Sequence, residues 1–147
     1  MPHLTMGLSP IGPMIDVWIG ASVPRASALK AAGRTPELPK QVRALVDTGA
    51  SCTAVDPSII KSLGLIPTGT TYIQTPSTGA APHLANQYDV LLGVTYQHAP
   101  EVLIFEALPV IESALIQQGF HVLLGRDVLG KCLFIYNGQE AYFSLAF

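Results

Sequence analysis

The feature that most constrains this chain is the stretch Ala44-Leu45-Val46-Asp47-Thr48-Gly49-Ala50-Ser51. An apolar run carries one carboxylate to the end of a predicted strand, and Thr48 to Ser51 then turn the chain sharply. Burying such a charge alone is costly, so it belongs where it is shared or used. Gly49 permits a tight backbone and lets another segment come close. Taken alone, Asp before Thr-Gly also fits an ordinary turn-capping aspartate.

A second element answers the first. Phe120-His121-Val122-Leu123-Leu124-Gly125-Arg126-Asp127-Val128-Leu129 again runs an apolar strand into a glycine. Ala44-Leu45-Val46 with its glycine turn and Val122-Leu123-Leu124 with Gly125 form an internal half-repeat, topological rather than letter by letter. Two similar β-units folded against each other fit that pattern. Asp127 reads either as a helix N-cap for Val128 to Lys131 or as a second acid.

The rest of the chain reads as strands and turns. Residues 1–13, with three prolines and two glycines, predict an arm or loop, and Met14 to Ile19 a strand with Asp16 on its wetter side. Residues 21–40 contain Pro24, Gly33, Pro36 and Pro39 and predict a surface loop, with at most a helical turn over Ala26 to Ala32. Cys52 to Val55 is a short strand. Asp56-Pro57 opens a helix, with Asp as N-cap and Pro at its first position, and Gly64 closes it. Tyr72 to Thr75 and Leu84 to Val94 predict a hairpin whose tip, Thr75 to His83, is turn-rich. Glu101 to Ile111 is another apolar run. Glu112 to Gln118 predicts one or two helical turns ended by Gly119. Cys132 to Tyr136 and Ala141 to Phe147 make two strands with Asn137-Gly138 as the turn signal. The last of these is apolar to its end, as expected of a strand placed in a subunit interface.

At 147 residues the chain predicts one domain. Charged residues are 12% and hydrophobic residues 49%, which argues against disorder and for an interface or groove that uses the surplus apolar surface. A net charge of -2 offers no basic footprint for nucleic acid. Cys52 and Cys132 make no disulfide framework; Cys52 reads as a small buried hydrophobe or as a neighbour of the Asp47 turn. With no secretory pattern and no run long enough to span a bilayer, the expectation is a cytoplasmic protein without a membrane partner. His3, His83, His98 and His121 lack metal-ligand spacing, so neither a metal nor a cofactor is expected.

With both elements in view, the chain resembles the retropepsin-like aspartic proteases over residues 14–147. The resemblance is most specific at Val46-Asp47-Thr48-Gly49-Ala50-Ser51 and at Leu123-Leu124-Gly125-Arg126-Asp127. It implies a mostly β, closed barrel-like protomer with one or two short helices and an active site at the two-fold axis of a homodimer. It makes Asp47 the catalytic carboxylate, with Thr48, Gly49 and Arg126 supporting the active-site loop. Gly49, Ala50, Ser51 and Leu123, with Thr78, Gly79 and Ala80 of the 72–94 hairpin as a flap, become the substrate-binding residues.

This chain departs from the retroviral pattern in three ways. Ser51 stands where those enzymes often have the aspartate that pairs with the arginine, so Arg126 needs another partner, Asp127 or a main-chain carbonyl. The hairpin tip has a single glycine, Gly79, between Pro76 and Pro82, and the 21–40 segment is longer.

The function implied is an aspartic endopeptidase acting on a peptide or protein. The alternative is a catalytically weak or inactive dimer of the same fold that binds peptides, and a third reading is a processor of its own precursor or one partner. An aspartyl-phosphate nucleophile is disfavoured, because the chain shows neither the extra Mg²⁺ carboxylates nor the α/β crossover pattern it needs.

Overall fold

The structure, a computed structural model, describes residues 1–75, 79–95 and 102–147. The described residues form ten strands: β1 (His3–Gly7), β2 (Met14–Ala21), β3 (Lys40–Val46), β4 (Ala54–Val55), β5 (Gly69–Ile73), β6 (His83–Thr95), β7 (Val102–Glu112), β8 (Val122–Leu124), β9 (Leu133–Asn137) and β10 (Tyr142–Ala146). Three short helices accompany them: α1 (Val23–Ala31), α2 (Pro57–Ser62) and α3 (Arg126–Leu129).

Six strands close on themselves in the order β2-β3-β8-β4-β7-β6, with β6 returning to β2. Closure removes free edges from this part of the sheet. The barrel is filled by alternate residues along its strands: Ile15, Val17 and Ile19 of β2, Val42, Ala44 and Val46 of β3, Val90, Leu92 and Val94 of β6, Val122 and Leu124 of β8, all buried. β5 pairs only with β6 and extends beyond the barrel. The hairpin expected over 72–94 is therefore present, with its first strand earlier than predicted, at Gly69–Ile73 rather than Tyr72 to Thr75.

The two halves of the internal repeat lie side by side. β3 and β8 are parallel and in register, Ala44 opposite Val122, Leu45 opposite Leu123 and Val46 opposite Leu124. The glycine turns that follow both strands thus emerge at the same end of the sheet.

Three expectations need correction. Residues 21–40 are not all loop, because Val23–Ala31 is helical. Ser22 caps it by accepting from the Arg25 N–H at 3.4 Å, and Pro24 sits in the first turn, where its missing N–H costs nothing. The prolines that suggested a loop mark this helix's start and its exit. Residues 1–13 are not simply an arm, since β1 pairs with β10 from His3 opposite Ala146 to Gly7 opposite Tyr142. Finally, β10 has no free edge to offer a partner. It lies between β1 and β9, and its apolar residues Phe143 and Leu145 fill this chain's own core.

The expected helix at Asp56 is found, and Asp56 does more than cap it. Its Oδ1 accepts the Ser58 N–H at 2.9 Å, while its Oδ2 accepts both the Leu115 and Ile116 N–H groups at 2.8 Å. One carboxylate, 3% exposed, so joins α2 to the segment between β7 and β8. Burial pushes this carboxyl up, but the hydrogen bonds from Ser58, Leu115 and Ile116 together outweigh it and hold the group at about 2 against an ordinary 3.8. A depressed folded value stabilises the fold fully above 3.8, and that contribution is lost as the pH falls through about 2. The difference corresponds to about 2 kcal/mol. Urea unfolding at pH 6 and pH 2 should show wild type losing about 2 kcal/mol more than Asp56→Asn over that interval.

Candidate active site

β3 delivers Asp47 out of the barrel at the end shared with β8, and the Asp47 N–H donates to the Leu124 carbonyl at 3.0 Å. The chain then turns on itself. The Ala50 N–H reaches the Asp47 carbonyl at 3.3 Å, and the Gly49 N–H donates to Asp47 Oδ1 at 2.8 Å. A side chain at Gly49 would place its Cβ 3.1 Å from that same oxygen, which explains the glycine. Asp47 and Ala50 are half-buried, while Thr48, Gly49 and Ser51 are exposed.

The 125–127 segment holds this loop from beside it. Arg126 Nη1 donates to the carbonyls of Thr48 at 2.9 Å and Gly49 at 3.2 Å, and the Arg126 N–H donates to the Ala50 carbonyl at 2.9 Å. Of the two partners left open for Arg126, the structure selects main-chain carbonyls. Gly125 packs so tightly that a Cβ there would lie 2.6 Å from the Cys52 carbonyl carbon and oxygen.

Asp127 is neither a helix N-cap nor a free acid. The N-cap of α3 is Gly125, which offers no side chain. Asp127 Oδ2 accepts the Thr53 N–H, and Oδ1 accepts the Thr53 hydroxyl, both at 2.8 Å, with the Val128 N–H at 2.9 Å on Oδ1. Thr53 Oγ1 in turn accepts the Gly125 N–H at 3.2 Å. Thr53, fully buried, was not singled out in the sequence. Its sequence signal is a hydroxyl residue directly before the apolar pair Ala54-Val55.

Leu123 is half-buried and packs with Met14, Ala54, Leu115 and Phe120 in a small apolar cluster beside the loop. The structure thus brings Asp47 to Ser51, Leu123 and Arg126 together. Gly79 and Ala80 lie exposed at the hairpin tip, where Gln74 Nε2 donates to the Gly79 carbonyl at 3.4 Å. No hydrogen bond among the described residues ties them to the Asp47 loop. Thr78 lies outside the described residues. Burial raises the Cys52 thiol above its ordinary value, and the nearby Asp127 carboxylate adds to it against a hydrogen bond with Ser51, so Cys52 is a thiol and not a nucleophilic thiolate. Among the described residues no three His, Cys, Asp or Glu side chains cluster to hold a metal ion, and no helix is long and apolar enough to cross a membrane.

A sequence model of the family described as aspartyl protease matches residues 32–128, well over half of the chain and including both glycine turns. The chain belongs to the aspartyl protease family. Its fold is that of the retropepsin-like members. A retropepsin-like aspartic protease from Rickettsia conorii superposes with a TM-score of 0.61 at 16% identity, over 99% of this chain and 91% of that one. The retroviral protease-like domain of Ddi1 from Leishmania major gives a TM-score of 0.38 at 15% identity, over 86% and 82% of the two chains, and adds nothing to the fold assignment. No curated protein sequence matches the chain.

The geometry ranks two substitutions in this family member. Thr53→Val keeps shape but strands a buried Gly125 N–H and leaves Asp127 Oδ1 with the Val128 N–H alone, and should lower the unfolding free energy by roughly 1–3 kcal/mol. Arg126→Met removes donors from two carbonyls beside an exposed side chain, where water takes their place, and should cost roughly 1 kcal/mol or less. Urea titration of both variants should give that order.

Proposed function

We propose that this protein is an aspartic endopeptidase whose active site is assembled from two copies of the chain. Peptide hydrolysis by water needs a base to activate the water and an acid to protonate the carbonyl oxygen. Two adjacent carboxylates sharing one proton perform both tasks, because like charges at that distance do not both ionise. The ionised partner takes a proton from water as its oxygen attacks the carbonyl carbon. The protonated partner gives its proton to the carbonyl oxygen. The tetrahedral adduct then collapses: the C–N bond breaks, the carboxyl that took the water's proton gives it to the leaving nitrogen, and the other carboxylate takes a hydroxyl proton back, which restores the shared-proton pair.

The observation that carries this reading is how Asp56, Asp127 and Asp47 differ in their hydrogen bonds. Asp56 and Asp127 each accept three hydrogen bonds from structural donors. Among the described residues Asp47 accepts a single one, from Gly49, and it stays half-buried at the loop. The chain therefore contributes one available carboxylate, and a second equivalent one comes from a second copy across a two-fold axis. Thr48, exposed in the single chain, is placed to brace the partner's loop. Gly49, Ala50, Ser51 and Leu123 line the groove, and the tip around Gly79 and Ala80 folds over an extended peptide held by strand-like main-chain bonds.

Asp47→Asn tests the assignment. The substitution preserves size and one acceptor but removes the shared proton from both halves at once. Cleavage of a mixed peptide pool should vanish, while the melting temperature stays equal or rises as like-charge repulsion is relieved. Full activity in the variant would sink the assignment, and unfolding would make Asp47 a structural cap. Sedimentation at micromolar concentration should show a dimer, at least with a peptide-like inhibitor bound. A strict monomer that still hydrolyses peptides would rule out the shared pair.

A further inference from the structure

A polar cavity of about 480 Å³ opens between the base of the β5–β6 hairpin and the end of β7, lined among others by Ile73, Thr75, His83, Asn86, Glu112 and Ser113. Its charged group is Glu112. Two donors converge on one oxygen of that carboxylate: Asn86 Nδ2 at 3.1 Å and the Tyr88 hydroxyl at 3.3 Å, both on Oε2. Oε1 takes neither. Burial, and then the Glu112 charge itself, push the Tyr88 phenol above its ordinary value, so Tyr88 keeps its proton and remains the donor. The carboxylate is held in place before any ligand arrives, which lowers the cost of binding one. Among the described residues of the lining there is no lysine or arginine to neutralise it, and His83 is the other titratable group.

The position relates this cavity to the Asp47 groove. Glu112 lies opposite Val55 of β4, Val55 opposite Val122 of β8, and Val122 opposite Ala44 of β3. Three strand spacings make about 14 Å across the sheet from Glu112 to Ala44, and Asp47 lies three residues further along the line of β3, about 10 Å, so the separation is about 17 Å, the reach of roughly five residues of extended chain. The cavity also borders the hairpin that would cover a bound peptide, through Ile73 and His83, which are paired with each other.

We infer that this cavity is a subsite for a basic side chain, a lysine or arginine several residues from the scissile bond, with Glu112 as its counter-charge. The inference rests on the peptidase reading for the meaning of the scissile bond, but not for the binding itself. A Lys or Arg side chain spans the depth of such a cavity with an apolar stem and places its charge on a carboxylate, which Arg can engage with two parallel hydrogen bonds. The fixed carboxylate would thereby select sequence at a distance from the apolar residues around Leu123.

The test separates binding from cleavage. A pool of capped dodecapeptides, randomised with norleucine in place of methionine, is bound to the Asp47→Asn protein and the bound fraction sequenced. Lysine and arginine should be enriched at least threefold over norleucine at one position. Adding Glu112→Gln should bring that enrichment to unity, and Tyr88→Phe, which keeps the charge but removes one of its two anchors, should reduce it without abolishing it. Wild type digesting the same pool should show the same position and preference in kcat/KM. That digestion carries the test if Asp47→Asn does not fold, as Tyr88→Phe does if Glu112→Gln does not. No enrichment, or enrichment untouched by Glu112→Gln, overturns the subsite. Enrichment without cleavage by wild type keeps the subsite and removes the peptidase reading. Cleavage without enrichment removes the subsite alone, and a protein that neither binds nor cleaves removes both.

Discussion

The Asp47 loop depends on a grip exerted by a segment more than seventy residues away in sequence. Thr53 is at its centre. Its hydroxyl donates to Asp127 and accepts from the Gly125 N–H, and its own N–H donates to the other Asp127 oxygen. These bonds are buried or partly buried, and a buried donor or acceptor left without a partner costs more than a hydrogen bond ordinarily contributes. The grip is therefore all or nothing. It also explains why glycine is required at 125, since the backbone of Cys52 occupies the space a side chain would need. Arg126 acts on the outer side of the same junction. Its bonds to the Thr48 and Gly49 carbonyls are exposed, so they set the orientation of the turn more than they stabilise the fold.

That junction is possible because β3 and β8 run parallel in register. Parallel neighbours finish at the same end of a sheet, so two strand-to-glycine turns far apart in sequence meet there without further help. The same closure gives each remaining element its place. Barrel strands spend their hydrogen bonds on one another, whereas β5 bonds on one side only. Among the described residues the hairpin it forms with β6 is thereby anchored to the barrel through β6. The terminal strands close a separate three-stranded sheet beneath.

Much of this was legible from residues whose meaning is local or repeated. The half-repeat showed itself because two apolar triplets each ran into a glycine, and the structure pairs those triplets residue for residue. Asp56-Pro57 and Gly64 announced α2 because capping chemistry is read within a few residues. What escaped the sequence depends on partners far away. The reach of Asp56 to Leu115 and Ile116, and the clamp of Asp127 on Thr53, have no local signature. Helix α1 was obscured for the opposite reason. It buries no residue, so it lacks the apolar stripe that marks a helix, and its prolines spoke louder than its cap. The apolar ending at 141–147 pointed to an interface because a sequence does not say whose core a strand fills. β10 fills its own.

Asp47, Asp56 and Asp127 show how one residue type divides between scaffold and the chemistry proposed for Asp47. Asp56 and Asp127 each accept three hydrogen bonds from N–H and O–H donors, and each ties together segments far apart in the chain. Asp47 has a single donor, from its own turn. A carboxylate meant to gain and lose a proton during a reaction must not be locked into one state by its surroundings, and one meant to hold a fold together must be. The donors that immobilise the loop are accordingly directed at its carbonyls, at Thr53 and at the structural aspartates, leaving the Asp47 side chain with little to hold it except the turn. A rigid loop carrying a lightly held acid is what the proposed pairing across a two-fold axis requires. The position of the carboxylate is set by this chain, and in the proposed pairing its partner acid comes from the second copy.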